Sequence, residues 1–181
     1  MRTSTSSDRV DLTHSQRPIW IGQRLDAESP LYNMAFAFVL DGAIDDERFR
    51  QAWNRLVAAS ESLRTRIVGQ GESATAQVQP TPDFGLEVAD LSDRPDPLEA
   101  FRELARNRTT QVLPVDERLV EAVLARLGPQ SWGFYLNQHH LITDAASTAL
   151  LVRRLAECER EIGAWTADRA RRWWDVHHPT G

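Results

Sequence analysis

Lysine is missing from this chain: all 21 basic residues are arginine. That excludes a lysine nucleophile or a Schiff-base mechanism, because no other side chain carries a primary amine. The single cysteine, Cys158, excludes an intramolecular disulfide and leaves no cysteine pair for zinc. Its place in a helical pattern assigns it a small, buried apolar role. No apolar run reaches the roughly 18 residues that a membrane-spanning helix needs, and the polar residues 1–10 lack the apolar core of a signal peptide. A soluble, cytoplasmic protein with no membrane partner is the expectation. Positive charge is short as well. The net charge of −5 argues against nucleic-acid binding, which leaves a basic footprint.

The 181 residues, 41% hydrophobic and 26% charged, suit one globular domain with a real core. Residues 1–10 read as a disordered lead-in. Thr13 and Gln16 have capping-box spacing and open a short helix through Ile19 and Trp20. Ala35 to Leu40 reads as a buried strand closed by the Asp41-Gly42 turn. Asp45 then caps a helix whose apolar stripe is Phe49, Ala52, Trp53, Leu56 and Val57. Leu63 to Val68 reads as a strand, Gly69 and Gly71 as a turn, and Thr75 to Gln79 as a short edge strand. Leu86 to Ala89 is a weak strand. Asp96-Pro97-Leu98-Glu99 opens a helix with Leu98, Phe101, Leu104 and Ala105 inward. Leu119–Leu127 and Trp132–Gln138 form a hairpin, and from Asp144 a long helix carries Thr148, Leu151, Val152, Leu155, Cys158 and Ile162 inward. This order predicts an α/β, two-layer sandwich: one mixed sheet with helices packed on it. Trp20, Trp53 and Trp132 read as core. Beyond residue 163, Trp165, Arg169 and Trp173 share one helical face, where arginine-on-indole contacts fit.

The chemistry concentrates at His-His-Leu-Ile-Thr-Asp-Ala, residues 139–145. At a strand-to-helix junction, His140 is placed to act as a general base or hydrogen-bonding catalyst, or is simply a satisfied, partly buried histidine. His139 should point to the opposite face, so the pair does not share a metal ion and no metal site is expected. Asp144 stands where a helix N-cap belongs.

Three ordered segments resemble the condensation domains of nonribosomal peptide synthetases. Leu12-Thr13-His14-Ser15-Gln16 with Trp20 is similar to that family's first motif. Glu61-Ser62-Leu63-Arg64-Thr65 is similar to its second. Residues 139–145 are similar to its His-His-x-x-x-Asp-Gly motif. The resemblance covers about residues 12 to 162 and implies a chloramphenicol-acetyltransferase-like lobe, the amino-terminal one of two that meet in a V. The boundaries expected are 11–163 for the lobe and 164–181 for a divergent helical or disordered tail. It implies amide or ester formation from an acyl thioester carried on phosphopantetheine by a carrier protein, with no cofactor bound by the chain itself; coenzyme A is the alternative thiol. In that reading His140 is catalytic, His139 is structural, and Asp144 forms a salt bridge to Arg64. Ala145 replaces the glycine beside the substrate channel, adding a methyl group and limiting positive φ. A second lobe or a homo-oligomer would complete the site. The competing reading is a non-catalytic lobe that binds carrier protein.

Overall fold

A computed structural model describes residues 9–80 and 85–162. The face expected of Trp165, Arg169 and Trp173, and most of the lead-in, lie outside the described residues.

Two helices begin where their capping residues dictate. Asp45 accepts the Arg48 N–H at 3.0 Å and opens helix α2, Asp46–Ala59. Its whole expected stripe, Phe49, Ala52, Trp53, Leu56 and Val57, is buried. Asp96 accepts the Glu99 N–H at 2.9 Å, Pro97 follows at the first helical position, and α3 spans Pro97–Thr109. Glu99 in its first turn and Arg106 and Arg108 in its last complement the helix dipole. Asp45→Ala or Asp96→Ala should each lower stability by about 1 kcal/mol in urea titration, with the m-value unchanged.

Four strands form the main sheet: β2 (Asn33–Asp41), β5 (Glu87–Asp90), β6 (Val120–Gly128) and β7 (Ser131–His139), in the order β2-β7-β6-β5. The β2–β7 and β6–β7 pairs are antiparallel, whereas β5 joins β6 in parallel, so the sheet is mixed as expected. β7 lies between two nine-residue strands and is buried from Trp132 to His139. Its alternation divides the core. Trp132, Phe134 and Leu136 pack with Phe49 and Trp53 of α2 and with Leu151 and Leu155 of α4, which spans Ala145–Ile162. Tyr135 packs with Phe101 and Ala105 of α3. Helices therefore cover both faces of this sheet. Gly133 has a specific reason to be glycine: a Cβ there would sit 2.7 Å from the Phe101 ring.

Where one sheet was expected there are two: the second is three-stranded, in the order β1-β4-β3, with β1 at Arg9–Asp11, β3 at Thr65–Val68 and β4 at Thr75–Val78. The expected edge strand, β4, is thus central. Its outer neighbour is built from Arg9–Asp11, whose first two residues were expected in the disordered lead-in. Short polar strands carry little burial signal, and pairing decided the outcome. Leu63 and Arg64, expected in a strand, lie instead in a 3-10 turn, Ser62–Arg64, that leads into β3. Helix α1, Gln16–Leu25, follows β1. The Gln16 side chain accepts the Thr13 N–H at 2.9 Å and the Gln16 N–H reaches the Thr13 hydroxyl at 3.3 Å, completing the capping box. Trp20 of α1 buries against Leu12, Ile67, Leu119 and Leu141, which ties α1 to the loop after β7. Trp20, Trp53 and Trp132 are all core residues, and Cys158 packs partly buried against the α2–α4 side.

Candidate active site at the His139–Asp144 turn

β7 ends at His139 and α4 begins at Ala145, so five residues turn the chain. Their backbone is held on several sides. The His139 N–H donates to Leu119 O at 2.9 Å, the His140 N–H to Tyr32 O at 2.8 Å, and the Ile142 N–H back to His139 O at 3.0 Å. Gln16 of α1 donates from Nε2 to Leu141 O at 2.8 Å. The first motif thus serves two ends, capping its own helix and holding the histidine turn 125 residues away.

The two histidines have opposite surroundings. His139 is fully buried, with Nε2 3.0 Å from Gln23 Oε1 and Nδ1 accepting the Leu141 N–H at 3.1 Å. His140 is exposed, and its Nδ1 lies 2.7 Å from Thr143 O. A carbonyl oxygen only accepts, so Nδ1 donates to it, and in the neutral form of the ring Nε2 is the bare acceptor. Behind it, Thr148 bridges Thr143 and Gln138: the Thr143 and Thr148 hydroxyls are 3.0 Å apart, and Thr148 donates to Gln138 Oε1 at 3.0 Å. The turn that carries His140 is therefore tied to both β7 and α4.

Asp144 caps α4 through Oδ1, which accepts the Ser147 N–H at 2.7 Å, while Asp144 O accepts the Thr148 N–H at 2.9 Å. The Ser147 N–H first, then its hydroxyl, hold the Asp144 carboxyl below its ordinary range. The expected salt bridge to Arg64 does not form. Arg64 instead donates from Nε to Val57 O at 3.2 Å and from Nη1 to Gln79 O at 2.6 Å, fastening the end of α2 to the end of β4. Each partner is satisfied by backbone closer at hand. Ala145 is exposed and opens α4; no non-glycine residue among the described ones has positive φ, so alanine fits there without strain.

Gln23 had no place in the sequence reading, although it follows Gln16 by seven residues, two helical turns, and so shares its face. Tyr32 was also missed as a contact: its ring lies 5.9 Å from His139, and its hydroxyl packs so tightly on α1 that a Cβ on Gly22 would come within 2.0 Å of it. Among the described residues no group of three or more His, Cys, Asp and Glu could hold a metal ion. A cavity of about 460 Å³ beside α3 and one of about 110 Å³ beside Trp53 are lined by neither histidine.

Burial first, and His140 beside it second, push His139 down to about 4 from its ordinary 6.5. Between those values the unfolded chain binds a proton that the folded chain refuses. Stability is therefore complete above about pH 6.5 and falls as the pH drops toward 4, by on the order of 3 kcal/mol. Denaturant midpoints should fall more steeply with acid in the wild type than in His139→Asn, which keeps an acceptor near Nδ1 and does not titrate. Parallel slopes would assign the acid loss to other groups.

The match to known proteins runs along most of the chain, this turn included. A family model described as Condensation domain matches residues 6–161. The chain belongs to the condensation-domain family. It is 33% identical over 159 residues to an isonitrile lipopeptide synthase of Streptomyces coeruleorubidus, covering 86% of this chain and 11% of that protein. It is 29% identical over 155 residues to a dimodular nonribosomal peptide synthase of Bacillus subtilis, covering 84% and 6%. A variant of the starter condensation domain of rhizomide synthetase, solved in complex with C8-CoA, superimposes with a TM-score of 0.81 at 26% identity, covering 89% of this chain and 38% of that one. The chain thus spans a ninth or less of these curated relatives and well under half of the solved condensation domain, matching its amino-terminal part. The α/β fold expected from the sequence is that of these condensation domains. No helix among the described residues is long and apolar enough to cross a membrane.

Proposed function

We propose that this chain supplies the histidine-bearing half of a condensation site, which joins an acyl thioester to an amine in nonribosomal peptide synthesis. The observation that carries the reading is His140: exposed and held through Nδ1–H by Thr143 O, which in the neutral form of the ring leaves Nε2 as the acceptor. In the proposed step the amine nitrogen attacks the thioester carbonyl while Nε2 accepts its N–H proton. The C–N bond forms, the C–S bond breaks, and the proton passes to the departing sulfur, leaving an amide and a thiol. A hydroxyl nucleophile gives an ester by the same transfers. The thiol is the phosphopantetheine of a carrier protein, the partner in this reading. Coenzyme A, which ends in the same thiol arm, is the alternative; the rhizomide starter domain in complex with C8-CoA supports an acyl thioester at such a site. His139, Asp144 and Arg64 support the site by shaping its turn, its helix cap and the neighbouring strand ends, and Ala145 borders the substrate channel. The setting is the cytoplasm, with neither nucleic acid nor membrane as a partner.

A second reading, a lobe that binds carrier protein without catalysis, is favoured by one observation: His140 is exposed and lines neither the cavity beside α3 nor the one beside Trp53. A second lobe or a neighbouring copy would close the first reading's site. Light scattering on the purified chain shows whether copies associate. Mixing it with the complementary part of a condensation domain, an acyl-loaded carrier and an aminoacyl-loaded carrier, followed by mass spectrometry, then tests the chemistry. Amide product supports catalysis; carrier binding without product from any combination establishes the module.

A further inference from the structure

We propose that Gln23 is a positioning residue for the His140 site: it selects the Nε2–H tautomer of His139 and so sets the turn that carries His140. The inference rests on the proposed function for its catalytic consequence, but the tautomer itself is a property of this chain.

Gln23 is 5% exposed, and its Nε2 faces three carbonyl oxygens, of Asp26 at 3.1 Å, Ala27 at 3.3 Å and Ser29 at 3.1 Å. Turning the amide over would set its oxygen against those three acceptors, so Oε1 must face His139. An amide oxygen only accepts. His139 therefore carries its proton on Nε2, and Nδ1 is left as an acceptor, where the Leu141 N–H finds it. The opposite tautomer would set an N–H against the Leu141 N–H and leave two buried donors unpaired, each costing more than a bond is worth.

Gln23 also closes the turn between α1 and β2 that delivers Tyr32, whose carbonyl receives the His140 N–H. One side chain thus fixes both supports of the catalytic loop, the imidazole beneath it and the carbonyl beside it. The groups around His139 keep it neutral. From α1 the facing group is the uncharged Gln23, from the β6 end it is Leu119 O, from the segment before β2 it is the Tyr32 ring, and from its own turn it is His140.

Nitrogen-15 NMR of the histidine rings in the whole chain tests the assignment. The wild type should show His139 protonated on Nε2 and bare on Nδ1 at neutral pH; a protonated Nδ1 overturns the proposal without any variant. Gln23→Met keeps the side chain's length and removes the acceptor. It should give a mixture of His139 tautomers and exchange the Leu141 amide hydrogen about tenfold faster or more. In the completed condensation site, Gln23→Met should lower kcat about tenfold and leave KM for the loaded carriers unchanged. An unaltered His139 tautomer in a folded Gln23→Met protein overturns the proposal. Failure of the wild type to form product bears on the proposed function alone, because the NMR readings need no turnover.

Discussion

His140→Ala is expected to slow amide formation by about 10²–10⁴-fold, the usual contribution of a positioned acid–base group. The expectation follows from the ring's isolation. His140 is exposed and its side chain makes one hydrogen bond, to Thr143 O, so its removal should cost only about 0.5–1.5 kcal/mol of stability. The turn itself stays pinned, because the His140 N–H still reaches Tyr32 O and Gln16 still holds Leu141 O. Loss of rate is therefore separable from loss of fold, and the melting curve of the variant is the control. Imidazole added to the assay should recover part of the rate, since the vacated site opens to solvent. A variant within threefold of the wild type would remove His140 from the proton transfer and leave the carrier-binding reading in place.

Phe101→Ala should lower stability by about 3–5 kcal/mol, the range for emptying a buried aromatic site. Phe101 is 1% exposed and is the largest side chain by which α3 is held to the sheet. It lies flat on β7 because Gly133 carries no Cβ. Gly133→Ala alone should cost about 1–3 kcal/mol by overpacking, since the new methyl meets ring carbons of a side chain with nowhere to move. Combined, the two changes should cost less than their sum by about 0.5–3 kcal/mol, because the methyl enters the space the ring has left. Urea titrations of the four proteins measure that coupling. Additive losses would mean that α3 shifts on the sheet rather than closing over the gap. Such a shift reaches the site as well: Asn33 donates to Thr109 O and Gln111 O at the end of α3, and its register partner in β7 is His139.

The parts of this fold that were legible in the sequence are those decided by local chemistry. The α2 stripe, both aspartate caps, the Pro97 start and the β6–β7 hairpin need only neighbours within a few residues, and all are present. The histidine motif and the cap at Asp144 were legible for the same reason. Arg64 was misplaced because an arginine can be satisfied by any carbonyl within reach, and the ends of α2 and β4 offered two. The central position of β4 and the existence of β1 depend on pairing across more than sixty positions, as between Arg9 and Gln77, which no local pattern encodes. Gln23 was hidden because its value lies in a ring 116 residues away. A buried polar residue on an otherwise amphipathic helix is the signal that would have marked it.

The pairing of β2 with β7 also governs how the chain can be made. Asn33 meets His139, 106 positions later (139 − 33), and β7 is the strand that pairs with β2 in this sheet. At about 5–20 residues per second of synthesis, β2 emerges roughly 5–20 s before its partner exists. Throughout that interval the apolar segment carrying Phe36, Phe38, Val39 and Leu40 lacks its pairing strand, and such a segment is prone to aggregation. The newborn chain is most vulnerable until residue 139 leaves the ribosome, and synthesis halted between β6 and β7 should yield insoluble protein.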